Sequence, residues 1–239
     1  DDASLSVNEF IEALHQNDEK TSTACPSIAQ WQKAFEGADE IYAITITSVL
    51  SGSYNSAVQA ASLYREDHPE TKIHVIDSLS AGPEMELVID KLKELIDAGL
   101  NFEEICEKIN AYKEKTHLNF ALESLDNLAK NGRISPAVAK VAKMLKIRII
   151  GRPDDGKLTP IGKARGAKKT ISYLIKDMEE HGFSNGRVII AHILNEEGAD
   201  NLKQAILAKH PKASVEIREA RGLCTYYAQK GGLMVGYEA

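Results

Sequence analysis

The residues best suited to chemistry form a hydroxyl-rich loop over residues 47–56, in which four serines and one threonine surround one glycine. The apolar, β-branched run 41–46 before it predicts a buried strand, and 57–64 after it has the composition of a helix. Because the first amides of a helix lack partners and carry partial positive charge, the loop suits a carboxylate or a phosphate. Gly52 lets such a ligand approach the backbone. The alternative is that the serines only cap the helix.

Two further polar segments belong to the same half of the chain. Residues 21–27 are also rich in hydroxyls, and Ser27 can cap a helix over 28–35. A strand over 72–77 ends in the Asp-Ser pair 77–78. A strand, a helix and a strand in succession imply a parallel sheet, and ligands of such sheets bind beyond the carboxyl ends of the strands. The first loop and the Asp-Ser pair both lie at such ends.

The remaining periodicities predict an α/β fold whose second half has a mixed sheet and added helices. Helical spacing of apolar residues is found over 7–15, 84–98, 102–115, 124–130, 138–145, 167–181 and 198–210. Strands are predicted over 118–121, 147–150, 158–161, 188–194 and 214–219, with a hairpin turn at 153–156. An α/β chain rarely opens on a helix with no strand to cover, so we expect residues upstream of the first helix to complete the fold.

Two apolar segments, 223–227 and 233–237, close the chain. We interpret the first as extended. Alternation along a strand then sends Tyr226 and Tyr227 to opposite faces, so one tyrosine lies in the core and the other offers its hydroxyl at a pocket.

Composition narrows the class of protein. Of the 239 residues, 43% are hydrophobic and 27% are charged, as in ordinary globular proteins. A net charge of -6 argues against a general nucleic-acid binder. No apolar run approaches the roughly 20 residues of a membrane span, and no signal-peptide pattern is present. The three cysteines, Cys25, Cys106 and Cys224, form no CxxC and fit reduced thiols in a cytoplasmic protein.

Patterns of catalysis and cofactor binding are missing from the sequence. The seven histidines form no HxH or HExxH pattern, so we predict no metal site. His192 is either a hydrogen-bonded residue at a strand end or a residue that faces a site. Without a GxSxG pattern, Ser51 is not an elbow nucleophile. GxGxxG and GxxxxGK[ST] are also absent. We predict no catalytic residue and no cofactor.

A compact basic cluster is the remaining candidate for binding. Its members are Lys163, Arg165, Lys168 and Lys169. The cluster is either a solvated helix start or a docking surface for an acidic partner or an anion. Cations are electrostatically unfavourable at a helix N-terminus, so the presence of these residues there favours a role other than helix stability. Arg133 and Arg152 flank turns and are candidates for the same surface.

Taken together, these segments resemble the DegV family of bacterial fatty-acid-binding proteins over essentially the whole chain. The matching segments are 23–27, 50–57, 77–78, 128–135 with Gly-Arg-Ile-Ser at its end, 155–158, 162–165 and the closing Gly-rich strand. Each segment alone is weak evidence for the family, and the resemblance rests on their order and spacing together.

The resemblance implies two α/β domains, an N-terminal parallel-sheet domain over 1–80 and a C-terminal mixed-sheet domain over 81–239. A long-chain fatty acid would lie between them, with its acyl chain in an apolar tunnel. By motif, the residues expected at its carboxylate are Thr23, Ser51, Gly52, Ser53 and Tyr227. Members of the family that act as kinase subunits present the carboxylate to a separate fatty acid kinase, which makes an acyl phosphate for phospholipid synthesis, and the resemblance implies the same role here. The residues expected to dock that kinase here are Lys163 and Arg165.

The chain departs from the family pattern at two places. Members usually begin with a strand that carries a Thr-Asp-Ser motif, and this chain lacks it, so the N-terminal domain is expected to lack its first strand. Many members also hold the carboxylate with a histidine near the C-terminus, and Tyr227 takes that place here. Because a tyrosine hydroxyl donates a hydrogen bond but does not become cationic, the head-group site is expected to be less positive.

Another class of function fits the same loop. An enzyme or kinase subunit that acts on a small phosphorylated or hydroxylated metabolite would use a serine-rich anion loop equally well. The bound ligand distinguishes the two, since a carrier should retain an acyl chain and the enzyme should have a polar pocket. A regulatory DNA-binding role is disfavoured by the acidic charge and the lack of a helix-turn-helix pattern.

Overall fold

The computed structural model describes residues 4–17, 19 and 21–239, which form ten helices and two β-sheets. The helices are α1 Val7–Gln16, α2 Ile28–Phe35, α3 Ser53–Asp67, α4 Pro83–Asp97, α5 Phe102–Lys113, α6 Asp126–Lys130, α7 Pro136–Leu145, α8 Ala167–Glu180, α9 Glu196–Lys209 and α10 Gly222–Ala228. The strands are β1 Glu40–Thr45, β2 Lys72–Asp77, β3 Thr116–Leu122, β4 Arg148–Asp154, β5 Lys157–Ala164, β6 Arg187–His192, β7 Ser214–Glu219 and β8 Leu233–Glu238. Residues 1–3, part of the basis for the expectation about the chain's start, lie outside the described residues.

The small sheet consists of β1 and β2, which pair in parallel as predicted, with Thr45 opposite Asp77 at the carboxyl ends. Alternate side chains of β1 enter different cores. Ala43 packs with α2 and α3 on one face, and Ile44 packs with α4 and α5 on the other. The predicted Ser27 cap is confirmed, because its hydroxyl and the Gln30 side chain form a complete capping box at the start of α2.

The large sheet has six strands in the order β5-β4-β3-β8-β6-β7. Only β6 and β7 run parallel, and the other neighbours are antiparallel, which confirms the predicted mixed sheet. Ala121 of β3 faces the core beneath α8 and α9. Leu118 and Phe120, on the opposite face, pack in a second core with α1, α6 and α7. Helix α1 therefore belongs to the core of the large sheet, whereas the division at residue 80 remains a prediction.

Helix α4 lies between the two sheets. Val88 of α4 packs with Ile76 of the small sheet. At the start of α4, a methyl group at Gly236 of β8 would lie 2.6 Å from the Glu84 backbone nitrogen, so only glycine fits there. Gly82, which precedes the helix with φ of +56°, approaches α10 in the same way, since a methyl there would lie 3.2 Å from a cysteine sulfur of α10.

The interpretation of 223–227 as extended is wrong, because this segment lies in helix α10. Its backbone makes i to i−4 hydrogen bonds from Thr225 to Arg221 and from Gln229 to Thr225. β-Branched and aromatic residues favour strands locally, but packing of α10 against α1 and α6 overrides that preference. The two tyrosines still differ in exposure because helical neighbours are about 100° apart. Tyr226 is buried and Tyr227 is half-buried.

Gly236→Ala tests the close approach of α4 to the large sheet. The added methyl would meet backbone atoms of Pro83 and Glu84, which cannot move aside as a side chain can. We expect the free energy of unfolding, measured by urea denaturation, to fall by roughly 1–3 kcal/mol.

The matched control is Gly52→Ala, whose methyl would meet only the Cys25 sulfur, at 3.2 Å. Its expected loss is below about 1 kcal/mol. Equal losses in the two variants would show that the packing of α4 on β8 does not require glycine.

Candidate functional site

Asp77, the last residue of β2, joins the loops that follow the two strands of the small sheet. Its carboxylate accepts the backbone N–H of Ser48 at 3.1 Å and that of Leu79 at 3.0 Å. The N–H of Thr47 donates to the Ser80 carbonyl at 2.9 Å. These hydrogen bonds hold the two loops side by side at the carboxyl edge of the small sheet, as their positions at strand ends predicted. The Asp77 carboxylate fixes the main chain of both loops.

Ser51 and Ser53 form the first hydroxyl pair of the site. Their side-chain oxygens are 2.9 Å apart, and the Ser51 oxygen also accepts the Ser53 backbone N–H at 3.2 Å. Ser53 is the first residue of α3, and the N-cap residue is Gly52, with no side-chain hydrogen bond at the cap, so the alternative that the serines cap this helix is wrong. A pair of hydroxyls has two protons, and only one bridges the oxygens. The other proton can be donated to a ligand.

Thr23 and Tyr227 form the second hydroxyl pair. Their oxygens are 2.8 Å apart, and both side chains are half-buried. Tyr227 reaches this position from α10, across 204 residues of sequence. The same proton count leaves one O–H in this pair for a ligand.

The structure brings together the two segments that carry Thr23 and Ser51. The segment that contains Thr23 runs along the start of α3, where Ser56 donates its hydroxyl to the Pro26 carbonyl at 2.7 Å. A methyl at Gly52 would lie 3.2 Å from the Cys25 sulfur. The predicted site residues therefore border one region at the N-terminus of α3, whose amides add partial positive charge.

Arg133 supplies a cation to this region. Its guanidinium donates to the Leu50 carbonyl at 3.3 Å and to the Asn131 carbonyl at 2.6 Å, and it lies 5.9 Å from the centre of the Tyr227 ring. Sequence reasoning placed Arg133 with the basic surface, and missed that it contacts the loop of Ser51. The expectation of a less positive head-group site therefore overlooked this guanidinium. The position of Arg133 in the Gly-Arg-Ile-Ser segment that carries the family resemblance could have indicated a role at the site.

An apolar core begins at Tyr227. The ring packs against the cluster between the large sheet and helices α1, α6 and α7. The buried members of that cluster include Leu118, Phe120, Leu128, Ile134 and Met234. A ligand with a polar head at the hydroxyl pairs and an apolar tail would find both environments in contact. The tunnel implied by the family resemblance remains a prediction.

The basic cluster lies on another part of the surface. Arg165 donates to the Leu145 carbonyl at 2.7 Å, and with Lys163 and Lys169 it lines a cavity of about 330 Å³. None of the site hydroxyls lines this cavity. Arg152 belongs elsewhere, since it pairs with the buried carboxylate of Asp177 at 2.8 Å. Lys163 and Arg165 therefore remain candidates for docking a partner, whereas Arg133 and Arg152 do not belong to this surface.

His192 is the last residue of β6, and its Nδ1 accepts the Asn195 N–H at 3.4 Å. The interpretation as a hydrogen-bonded strand-end residue is confirmed. Across the part of the chain that the structure describes, no group of three or more His, Cys, Asp or Glu side chains is arranged to hold a metal ion. In the same residues, no helix has the length and apolar character needed to cross a bilayer.

The fold consists of two β-sheets packed with helices, and hydroxyl side chains lie beside an apolar core. This combination is typical of a protein that binds a small ligand. The family model described as "Uncharacterised protein, DegV family" matches residues 1–239. A DegV domain-containing protein of Streptococcus pneumoniae is 46% identical over 239 residues, which cover 100% of this chain and 85% of the relative. This chain belongs to the DegV family.

Solved structures of relatives have the same fold and contain fatty acids. The Streptococcus pneumoniae Fatty Acid Kinase (Fak) B3 protein loaded with linoleic acid has a TM-score of 0.97 and 46% identity, covering 100% of this chain and 85% of that one. A DegV family protein of Eubacterium eligens loaded with heptadecanoic acid also has a TM-score of 0.97, with 41% identity and coverage of 100% and 87%.

The cysteines provide a reporter for the site. Cys25 is exposed beside Gly52. Burial, with a smaller contribution from Glu86, raises the pKa of the Cys224 thiol to about 12, so its thiolate fraction at pH 8 is about one in ten thousand. We expect iodoacetamide at pH 8 to alkylate Cys25 first and Cys224 only after unfolding, as measured by peptide mass spectrometry. Cys25→Ser should remove the fast phase. Early labelling of Cys224, which is half-buried, would contradict the raised pKa of its thiol.

Proposed function

We propose that this protein binds a long-chain fatty acid, with its carboxylate between the two hydroxyl pairs and its acyl chain in the apolar core that begins at Tyr227. The observation that carries the proposal is that the Ser51–Ser53 pair, the Thr23–Tyr227 pair and Arg133 all border one region next to that core. The relatives loaded with linoleic and heptadecanoic acid support the ligand class.

The geometry suits a carboxylate because each hydroxyl pair retains one proton for donation. Two donors match the two oxygens of the head group. The guanidinium of Arg133 and the first amides of α3 balance the negative charge. Since the hydroxyls of both pairs bond to other hydroxyls within the described chain, and not to a histidine or a carboxylate that could act as a general base, we assign the protein a non-catalytic role as a carrier.

We further propose that the bound fatty acid is presented to a fatty acid kinase. The name of the Streptococcus pneumoniae relative, Fatty Acid Kinase (Fak) B3, supports such a partner. Lys163 and Arg165 offer two exposed cations for docking, on a surface apart from the hydroxyl pairs. We place the protein in the cytoplasm, in keeping with the three free thiols among its described residues.

Ser51→Ala tests the carboxylate site. Removing one donor from a bound carboxylate should cost roughly 1.5–3 kcal/mol of binding, which is about a ten-fold loss of affinity or more. The measurement is a titration of delipidated protein with linoleic acid.

Ser62→Ala is the matched control, because Ser62 is an exposed serine of the same helix. It should bind with wild-type affinity. Unchanged affinity in Ser51→Ala would remove Ser51 from the site. A wild-type protein that takes up inorganic phosphate and no fatty acid would favour the alternative of a phosphorylated metabolite.

A double charge reversal, Lys163→Glu with Arg165→Glu, tests the docking surface. Complementary charges at an interface rim mainly set the association rate, so we expect acyl-phosphate formation by a fatty acid kinase at low concentrations of loaded protein to fall about ten-fold. Fatty acid affinity should not change.

The control is Lys93→Glu with Lys108→Glu, which reverses two exposed charges on α4 and α5. This variant should support the kinase at the wild-type rate. An equal loss of rate in both double variants would attribute the effect to net charge and not to the surface of Lys163 and Arg165.

A further inference from the structure

Tyr226 is the buried neighbour of the ligand-side Tyr227, and its hydroxyl makes three hydrogen bonds. It donates to the Thr21 carbonyl at 2.7 Å, receives a bond from the Asn131 amide at 3.0 Å and lies 2.9 Å from the Thr21 hydroxyl. Because its one proton goes to the carbonyl, the Thr21 hydroxyl is the donor in the third contact. The phenol oxygen thus uses its donor and both its acceptor positions.

The surroundings of Tyr226 are themselves fixed. The side chain of Asn127 donates to the Tyr226 carbonyl at 2.8 Å, and the Asn131 amide donates to the Asn127 carbonyl at 2.9 Å. The main chain of α10 and the end of α6 therefore hold the phenol in one place. Thr21 is bound to this rigid group through both its carbonyl and its hydroxyl.

Thr21 opens the polar segment 21–27, which has neither helix nor strand. The far end of that segment is held by the capping box of Ser27. Thr23 lies two residues after Thr21, and its hydroxyl meets Tyr227. Between the two fastened ends, the position of the Thr23 hydroxyl depends on how firmly Thr21 is held.

We propose that Tyr226 is a positioning residue for the carboxylate site, which acts by fastening Thr21 and so placing the Thr23 hydroxyl against Tyr227. The inference rests on the proposed function and extends it to a residue whose hydroxyl is committed to Thr21 and Asn131. The two adjacent tyrosines of α10 thus have different roles. Tyr226 anchors the segment, and Tyr227 completes the hydroxyl pair at the ligand. Their rings pack edge to face, with centroids 4.8 Å apart.

The physical basis is the entropy of an irregular segment. A segment that is loose before binding must be ordered by the ligand, and that cost is subtracted from affinity. An anchor in the free protein avoids the cost. If Tyr226 acts as this anchor, its contribution to affinity must pass through Thr23, because Thr23 is the only one of the proposed carboxylate residues in this segment.

Tyr226→Phe tests the inference, because it keeps the buried ring and removes only the hydroxyl. We expect linoleic acid affinity to fall about three- to ten-fold, the equivalent of one lost hydrogen bond. In a Thr23→Val background the same change should have no further effect, since the hydroxyl being positioned is already gone. In a Ser51→Ala background the loss should be additive, since that pair lies on another segment.

Tyr64→Phe is the matched control. It removes the hydroxyl of another buried tyrosine, one that donates to the Phe35 carbonyl at 3.3 Å in the core beside the small sheet. It should lower stability without changing affinity. In ligand-free protein, hydrogen exchange should rise over 21–27 in Tyr226→Phe and stay at the wild-type rate in Tyr64→Phe.

The outcomes separate this inference from the function on which it rests. Wild-type affinity in Tyr226→Phe, or full additivity with Thr23→Val, overturns the positioning role while leaving the carrier in place. A wild-type protein that binds no fatty acid overturns the proposed function, and the positioning role falls with it.

Discussion

The contact of α4 with both sheets is the constraint on which the rest of the structure depends. Gly236 lets the start of α4 lie against β8, and Gly82 lets the preceding turn lie against α10. The same turn supplies the Ser80 carbonyl that holds Thr47. One close-packed junction therefore fixes the hydroxyl loop of the small sheet relative to the helix that carries Tyr227. A residue with a side chain at Gly236 would separate them, because backbone atoms form the opposing surface.

The chemistry at the proposed carboxylate site relies on neutral hydroxyl donors together with the guanidinium of Arg133. Hydroxyls that pair with one another are satisfied without a ligand, so the empty site avoids the cost of buried polar groups that lack partners. Each pair can still give one proton to an incoming anion. An arginine keeps its charge through the physiological pH range, whereas a histidine would lose it. Arg133 therefore provides charge balance that a histidine in the place of Tyr227 would provide only at low pH.

Much of this arrangement follows from local sequence, and the remainder depends on distant contacts. The parallel pair of strands, the capping box of Ser27 and the mixed sheet all come from patterns within a few residues. Helix α10 was mistaken for a strand because its residues favour strands locally, whereas its stability comes from packing against α1 and α6. The role of Arg133 was missed because its contact with Leu50 spans 83 residues. Thr23 and Tyr227 were both expected at the carboxylate from the family resemblance, and their hydrogen bond, which spans 204 residues, was not predicted.

The hairpin of β4 and β5 connects the proposed docking surface to the proposed ligand site. Lys163 lies near the end of β5, and the turn at the other end of the hairpin contains Gly156, with φ of +76°. A side chain at Gly156 would overlap the hydroxyl of Thr47, so the turn lies directly on the loop that leads to Ser51. The two strands pair Asp154 with Lys157 beside the turn and Ile149 with Lys163 near the other end, with a register shift between Ile150 and Gly151. One hairpin therefore carries the proposed docking residue Lys163 and also contacts the loop that leads to Ser51.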